Sequence, residues 1–268
     1  MPLLRPRSGF RAARLVAFPV CVLLALCAQT GCGSGTTTIS VVEPVRTPLT
    51  ATPRTVHQPT SPAVPVDGDD AVWGSAMAPV TIVVFTDLEC PFCAQNHATL
   101  VAMKRRYGEE RLRVVVKHLP LAMHPQAPAA ARVTQAVLAS AGPQKAFAFL
   151  DLAYARPDAV SSGRFPELVR EVGLDPESVL AHAEDSATAD AVLADVELAQ
   201  RLGVTGVPHL RVNGRPFTGV QTEDTLRAAI DEELRATAEL ARNGVRSSEI
   251  YALRVAANLA RPTALHVP

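Results

Sequence analysis

Two cysteines three positions apart, in the run Cys90-Pro91-Phe92-Cys93, carry the clearest chemical signal in this chain. A thiol pair at this spacing can form a reversible disulfide and exchange it with the thiols of another molecule. The reactive form of cysteine is the thiolate, and the positive end of a helix stabilises an anion. The chemistry of the motif therefore depends on where it lies relative to a helix.

The residues around the motif predict a strand that leads into a helix. Residues 79–87 form a largely β-branched run, which is typical of a strand buried on both faces. Pro91 suits the first turn of a helix, where its missing N–H needs no partner. The helix is predicted to continue to about Tyr107, before Gly108, and residues 112–117 predict a second strand. The motif is therefore expected to start the helix of a β-α-β unit.

This position predicts different roles for the two sulfur atoms. Cys90 is expected at the exposed end of the helix, where it attacks as the thiolate, and Cys93 is expected one turn further in. Attack joins Cys90 to the partner in a mixed disulfide, which Cys93 then resolves. The motif alone also fits an inert structural disulfide or half of a zinc site. Zinc needs at least three protein ligands, and the histidines that would have to complete such a site are His97, His118 and His124.

The remaining segments complete a mixed architecture. Residues 125–202 have a helical pattern broken by Gly and Pro, which predicts four or five helices. Asn213-Gly214 between two apolar runs predicts a β-hairpin, and a last long helix is expected from Thr222. The order β-α-β, helical insertion, β-β-α predicts an α/β fold with a mixed sheet flanked by helices. The predicted boundaries are 72–241 for the domain, about 122–203 for its insertion and 242–268 for a C-terminal helical extension.

The first 71 residues predict export. Residues 1–31 contain four Arg, no acid and an apolar run of about 14 residues, which is too short to span a bilayer comfortably and is typical of a secretory signal. The end of this run resembles a bacterial lipoprotein signal, in which Cys32 would be acylated. Gln29 stands where an aliphatic residue is usual, so cleavage without lipidation stays open. Residues 32–71 are rich in Pro and Thr and lack periodicity, which predicts a disordered tether.

The composition narrows the class of protein. The 268 residues include 26 Lys+Arg and 26 Asp+Glu, and this zero net charge argues against a nucleic-acid partner. A hydrophobic content of 48% fits a globular core, and five cysteines are too few for a disulfide-stapled scaffold. Cys21 and Cys27 would leave with the signal, and Cys32 would carry lipid. Only the motif would then remain as free thiols in an oxidising compartment.

A second motif, Val204-Thr205-Gly206-Val207-Pro208, precedes the first strand of the hairpin. Together with the cysteine motif and Lys117-His118-Leu119-Pro120-Leu121, it resembles the thioredoxin fold, and more closely its DsbA-like branch with a helical insertion. The resemblance covers residues from about 74 to about 234. It implies a cis Val207–Pro208 peptide bond that turns the Val207 backbone toward an extended substrate segment. It also implies a redox-active Cys90–Cys93 disulfide without a further cofactor.

The sequence departs from this family pattern at several positions. Val84 replaces a buried acid that in many relatives relays the proton of the resolving thiol. Water, Lys117 or His118 would have to substitute, although both side chains fit a solvated strand end equally well. Phe92 stands where strongly oxidising relatives often carry His, which favours a less oxidising disulfide. His209 replaces the apolar residue usual after the proline, which predicts a polar strand face or a role in substrate access.

The sequence as a whole predicts an exported thiol–disulfide oxidoreductase, held by lipid on a membrane that faces the periplasm. Its expected partners are reduced or misfolded exported proteins, and a membrane protein or small-thiol pool that resets the disulfide. Reductase and isomerase roles use the same residues, and isomerase is less favoured because residues 33–71 do not resemble a dimerisation domain. Two rival interpretations are a membrane-tethered module that binds Cu(I) through both cysteines and a redox-inert envelope scaffold.

Overall fold

The computed structural model describes residues 63–260. The predicted signal peptide, the Cys32 lipidation site, residues 33–62 of the predicted tether and residues 261–268 lie outside this range. The strands within it are β1 (Ala71–Trp73), β2 (Val80–Thr86), β3 (Leu112–His118), β4 (His209–Val212) and β5 (Arg215–Thr218). The helices are α1 (Pro91–Tyr107), α2 (Ala127–Ala155), α3 (Pro157–Ser161), α4 (Phe165–Glu171), α5 (Pro176–Ala183), α6 (Ser186–Arg201), α7 (Glu223–Arg242) and α8 (Ser247–Leu259). None of these helices has the combined length and apolar character needed to cross a membrane.

The strands form one mixed sheet in the order β1-β3-β2-β4-β5. The central strand β2 runs parallel to β3 and antiparallel to β4, and the edge strands β1 and β5 are antiparallel to their neighbours. Every residue of β2 is buried, as its β-branched run predicts. The predicted α/β fold, a mixed sheet with helices on both faces, is confirmed.

Alternation along β2 sends its side chains into two cores on opposite faces of the sheet. Ile82 and Val84 belong to the larger core, which also contains apolar residues of α1, α2 and α7. Val83 and Phe85 belong to a smaller core, which α6 and α8 complete. Because helices cover both faces, the strand carries apolar residues at consecutive positions.

The β2–α1 connection places the cysteine motif. β2 ends at Thr86, and α1 begins at Pro91 as predicted. The helix ends before Gly108, whose φ of 71° suits glycine. Four residues at helical spacing are buried on one face of α1, Asn96, Leu100, Met103 and Tyr107, and the last three belong to the larger core. Four residues, 87–90, therefore connect the end of β2 to the start of α1.

Five helices, α2 to α6, separate β3 from β4 in the described chain, which agrees with the predicted insertion of four or five helices. The long helix α2 is kinked at Gly142, whose φ of 81° and ψ of 178° are not helical, and Pro143 starts its second half. That second half buries Phe149 and Leu150 in the larger core. The insertion thus shares a core with the central strand.

The hairpin turn is short and covered by the last helix. Asn213 and Gly214 have φ values of 45° and 88°, as a two-residue hairpin turn requires. β5 consequently begins at Arg215, earlier than its apolar run suggests. A Cβ at Gly214 would lie 2.9 Å from Cα of Val255, and Asn258 Nδ2 donates to Asn213 O at 2.9 Å. The predicted C-terminal extension therefore contains a helix that packs on the hairpin.

Residues 64–71 fall within the segment predicted as a tether and pack against the domain. Val64 is fully buried, and its carbonyl oxygen accepts a hydrogen bond from Tyr251 Oη at 2.7 Å. Asp70 is buried as well, and β1 begins at Ala71. The packed part of the chain therefore starts upstream of residue 72.

Candidate active site

The two motif cysteines lie at the start of α1, as predicted. Cys90 is the residue before the first helical turn and has extended backbone angles, φ −79° and ψ 119°. Its carbonyl oxygen accepts hydrogen bonds from the N–H groups of Cys93 at 3.0 Å and Ala94 at 3.2 Å. Both cysteines are free thiols. Both cysteines therefore lie at the N-terminal end of α1, where the helix dipole stabilises an anion.

Cys90 is more enclosed than the sequence suggests. It was expected at an exposed helix end, yet only 4% of its surface is exposed, and only 1% of that of Cys93. The chain turns tightly before the helix, where Cys90 N–H donates to Asp87 O at 3.2 Å and Leu88 is itself buried. Little of the Cys90 side chain is therefore accessible to another molecule in this structure.

The charges along α1 favour an anion at its N-terminus. Its first turn contains no acidic residue, and its last turn contains Lys104, Arg105 and Arg106. Glu89, the acid next to Cys90 in the sequence, is directed to a neighbouring loop: its Oε2 accepts a hydrogen bond from Gln126 N–H at 2.6 Å. The side chains of the first turn of α1 and the side chain of Glu89 therefore do not oppose a negative charge at Cys90.

Burial sets the protonation state of the Cys93 thiol. Removal from water raises the pKa of Cys93 to about 12, although hydrogen bonds with the Thr86 side chain and the Asp87 backbone act in the opposite direction. The nearby Cys90 sulfur raises it further. Cys93 is consequently a neutral thiol at pH 7. In disulfide exchange generally, a thiol has to lose its proton before it attacks.

Sequence reasoning missed Asp87, which organises the turn before the motif. Its buried Oδ1 accepts a hydrogen bond from Glu89 N–H at 2.8 Å. Its Oδ2 accepts from Leu121 N–H at 2.9 Å and lies 2.8 Å from His124 Nδ1. The side chain thus joins the turn to the loop after β3. The available signal was an Asp directly after a strand, where its carboxylate can accept from the backbone two residues later.

The Val207–Pro208 peptide bond is cis, as the family resemblance implies. Pro208 is buried, and its carbonyl oxygen accepts a hydrogen bond from Gly219 N–H at 2.9 Å. Gln221 N–H donates to Asn96 Oδ1 at 3.3 Å, which joins the end of the hairpin to α1. Pairing of the Val207 backbone with a substrate stays a prediction.

Three large apolar side chains are exposed on segments that meet the motif. Phe92, within the motif, is 57% exposed, and Met123, in the loop bound by Asp87, is 77% exposed. Val220, directly after the Gly219 that bonds Pro208, is 40% exposed. The motif itself and two segments bonded to its surroundings thus each expose one large apolar side chain.

Lys117 belongs to a buried ion cluster, which excludes the alternative of a solvated strand end. Its Nζ lies 2.6 Å from Asp70 Oδ1 and 3.1 Å from Asp195 Oδ1. Burial raises the pKa of Asp195 to about 6 despite the Lys117 charge. Burial would lower the pKa of Lys117, but the charges of Asp195 and Asp70 outweigh it and raise that pKa. A supporting role of Lys117 at the motif stays a prediction.

His118 and His209 are buried as well, so His118 is not part of a solvated strand end and His209 gives β4 no exposed polar face. Within residues 63–260, His118 Nδ1 and His209 Nε2 lack a hydrogen-bond partner. Burial and the Lys117 charge lower the pKa of His118 to about 4. Burial and the Arg211 charge lower the pKa of His209 to about 4. Both imidazoles are therefore neutral at pH 7.

We expect these two histidines to make the protein less stable as the pH falls from about 6.5 to about 4. In this range the unfolded imidazole, with its ordinary pKa of 6.5, binds a proton that the folded one does not. Each histidine removes up to about 3 kcal/mol over the range. Asp195 acts in the opposite direction, since its raised pKa lets the folded state hold a proton up to about pH 6. Urea unfolding at a series of pH values measures the net slope.

The variants His118→Gln and His209→Gln should each flatten this pH dependence. His182→Gln is the matched control, because His182 is exposed and its change should leave the slope as it is. Equal slopes in the parent and in both buried-histidine variants would contradict the assignment.

Two of the three histidines considered for a zinc site are paired with carboxylates. His97 Nε2 lies 2.6 Å from Asp151 Oδ1, and His124 pairs with Asp87. Over residues 63–260, no group of three or more Cys, His, Asp or Glu side chains is arranged to hold a metal ion. The zinc alternative therefore lacks a ligand set in this part of the chain.

The sequence of this chain matches a known protein family. The profile of the thioredoxin family matches residues 67–232, which is more than half of the chain. This chain belongs to the thioredoxin family. The matched range includes the cysteine motif, residues 117–121 and Val207-Pro208, the features on which the resemblance rested.

Solved structures share the fold of this thioredoxin-family protein. A thioredoxin-like oxidoreductase from Silicibacter pomeroyi is 25% identical with a TM-score of 0.57, over 63% of this chain and 94% of that one. A periplasmic thioredoxin-like protein from Salmonella enterica serovar Typhimurium is 23% identical with a TM-score of 0.55, over 65% and 94%. The alpha-DsbA1 of Wolbachia pipientis is 17% identical with a TM-score of 0.59, over 66% and 96%. The fold is thus that of a DsbA-like thioredoxin domain.

Two curated relatives are named as Na(+)/H(+) antiporters. NhaA of Herminiimonas arsenicoxydans is 30% identical over 174 residues, and NhaA 3 of Salinispora tropica is 35% identical over 170 residues. The matches cover 65% and 62% of this chain but only 27% and 25% of those proteins. The similarity therefore concerns one segment of a much longer protein.

Proposed function

We propose that this protein is an exported thiol–disulfide oxidoreductase that exchanges disulfides with protein substrates through Cys90 and Cys93. The observation that carries the proposal is the position of both free thiols at the N-terminus of α1, in a thioredoxin fold. The redox-active group is the cysteine pair itself, and no further cofactor is required.

The two thiols have complementary roles in the proposed reaction. When the protein oxidises a substrate, a substrate thiolate attacks Cys90 Sγ of the Cys90–Cys93 disulfide, and Cys93 leaves and takes up a proton. A second substrate thiolate then attacks the mixed disulfide, forms the substrate disulfide and releases Cys90 as a thiolate. The substrate loses two electrons, which the cysteine pair gains. A membrane protein or an oxidised small thiol takes these electrons from the pair.

The surface around the motif supports protein substrates with apolar, unfolded segments. Phe92, Met123 and Val220 are exposed, and each lies on a different segment next to the motif. An unfolded chain exposes the apolar side chains that such a surface binds, whereas a folded protein buries most of its large apolar side chains in its core. The proposed partners are therefore reduced or misfolded exported proteins.

Export and membrane attachment rest on the N-terminal sequence. The signal-like residues 1–31 and Cys32 support a lipid-anchored protein that faces the periplasm. The fold shared with a periplasmic thioredoxin-like protein is consistent with that location. Globomycin, an inhibitor of lipoprotein signal cleavage, should cause a precursor to accumulate, and Cys32→Ser should release the protein from the membrane fraction.

A glutathione redox titration tests the proposed activity. The expected result is one reversible two-electron transition that belongs to Cys90 and Cys93, with a potential that distinguishes donors of disulfides from reductants. Metal analysis of protein purified without oxygen accompanies it. Stoichiometric copper with no reversible disulfide would instead support the Cu(I)-binding interpretation and overturn the proposal.

A further inference from the structure

The resolving thiol lies in a polar pocket that has no carboxylate from the central strand. Position 84, where a buried acid would face Cys93, is Val84, and it lines the same small cavity as Cys93. Lys117 and His118 are the other candidates from the sequence. Lys117 is engaged by Asp70 and Asp195, and neither Lys117 nor His118 lines the cavity.

Thr86 and Tyr154 form a hydrogen-bonded pair at Cys93. Cys93, Thr86 and Tyr154 line the same small cavity, and Thr86 Oγ1 shares a hydrogen bond of 2.5 Å with Tyr154 Oη. The Thr86 side chain acts to lower the pKa of Cys93, against the larger effect of burial. Thr86 is the last residue of β2, and Tyr154 comes from the second half of α2. A strand and the insertion thus bring two hydroxyl groups in series to one thiol.

The cavity extends this pair toward the surface. Its volume is about 10 Å³, roughly the space that one water molecule needs, and its polar lining includes Cys93, Thr86, His97 and Tyr154. The His97 ring contacts the Tyr154 ring, with 4.7 Å between centroids. His97 Nε2 is 2.6 Å from Asp151 Oδ1, and the Asp151 side chain is 52% exposed. Polar groups therefore lead from the buried sulfur to solvent.

We propose that Thr86, Tyr154 and His97 form the proton route of Cys93 and replace the missing acid at position 84. Thr86 and Tyr154 orient the thiol and pass its proton to a water in the cavity, and His97 with Asp151 exchanges that proton with solvent. The three residues act through Cys93, because only the sulfur atoms form and break the disulfide bonds. This inference rests on the proposed thiol–disulfide exchange at Cys90 and Cys93.

The charges around the pocket are compatible with a route through hydroxyl groups. Burial, together with the Cys93, Asp87 and Cys90 sites, raises the pKa of Tyr154 well above its ordinary value, so its hydroxyl stays protonated and can donate and accept in turn. Lys104, which also lines the cavity, lies over the Phe147 ring at 4.3 Å and has a pKa lowered by burial.

One stopped-flow experiment separates the two thiols. Reduced protein is mixed with a chromogenic aromatic disulfide from pH 5 to pH 9. Cys90 attacks one sulfur, the aromatic S–S bond breaks and the first aromatic thiolate is released. Cys93 loses its proton to solvent and attacks Cys90 Sγ, so that the mixed disulfide breaks and releases the second aromatic thiolate. Two protein thiols are oxidised, and one aromatic disulfide is reduced.

We expect Tyr154→Phe and Thr86→Val to slow the second release about tenfold at pH 7 and to leave the first release within about twofold of the parent rate. The difference in the second release should narrow as the pH rises, because hydroxide then removes the Cys93 proton directly. A purely structural role of the hydroxyl groups would not produce this narrowing. Tyr251→Phe is the matched control, since its partly buried hydroxyl donates to Val64 O and does not line the cavity, and both releases should stay at the parent rate.

The outcomes distinguish the two proposals. No release of aromatic thiolate by the parent protein would overturn the proposed function. Two normal releases in the parent and an unchanged second release in folded Thr86→Val and Tyr154→Phe would overturn the proton route alone. Equal slowing of both releases would also overturn it, because the hydroxyl groups would then act on access to the site and not on Cys93.

Discussion

Cys90→Ser is expected to lower the rate of disulfide exchange with a protein substrate by about a thousandfold or more. A serine hydroxyl does not ionise near neutral pH, and its oxygen cannot form the mixed disulfide on which exchange depends. Loss of a catalytic nucleophile commonly has effects of this size. The measurement is dithiol-dependent turnover of a test protein with a fluorescent disulfide reporter, followed over time with the parent and the variant at equal concentration.

Cys93→Ser serves as the matched variant, because it changes the other sulfur of the same motif. It should retain attack through Cys90 but accumulate a mixed disulfide with the substrate, which mass spectrometry of acid-quenched samples detects. Turnover by Cys90→Ser at the parent rate, or a mixed disulfide attached to position 93 in the parent, would show that the two roles are assigned to the wrong cysteines.

Lys117→Met is expected to lower the free energy of unfolding by about 3–5 kcal/mol, because it removes the cation that two buried carboxyl groups share and leaves each with only a backbone N–H donor. Asp70 and Asp195 are both nearly fully buried, and each lies within 3.1 Å of the Lys117 ammonium. The loss should be smaller at pH 5 than at pH 8, since either carboxyl group can then take up a proton. Urea unfolding at both pH values gives the two free energies.

Two further variants give this prediction its controls. Arg227→Met breaks an exposed pair with Asp224 and should change stability by less than about 1 kcal/mol. The triple variant Lys117→Met, Asp70→Asn, Asp195→Asn removes all three charges and should recover part of the lost stability. A loss for Lys117→Met no larger than for Arg227→Met would mean that the buried cluster contributes little.

The cysteine motif, its helix and its strands could be predicted because their signals are local. Pro91 starts α1, the apolar run of β2 needs no partner to be recognised, and Asn213-Gly214 fits only a tight turn. The order of these elements predicted a mixed sheet flanked by helices, and the thioredoxin fold was implied by the resemblance of the cysteine motif and Val207-Pro208 to that family. Periodicity and turn chemistry act over a few residues, so the sequence shows them directly.

The surroundings of the thiols could not be predicted, because they depend on contacts between distant segments. Asp195 meets Lys117 from the insertion, 78 positions along the chain, and Tyr154 meets Thr86 across 68 positions. The enclosure of Cys90 likewise depends on the turn that Asp87 joins to the loop after β3. Hydrophobic patterning sets which elements form, but it does not specify which polar side chains meet in the interior.

In the proposed proton route, the hydrogen bond between Thr86 and Tyr154 gives the helical insertion a part in the chemistry of the thiols. If the insertions of two such proteins were exchanged, the Tyr154 hydroxyl would move together with the outer surface of the insertion. A chimera with an unchanged fold would then have the thiol reactivity of the protein that supplied the insertion. Changes to the substrate-binding surface of the insertion would therefore also change the reaction rate.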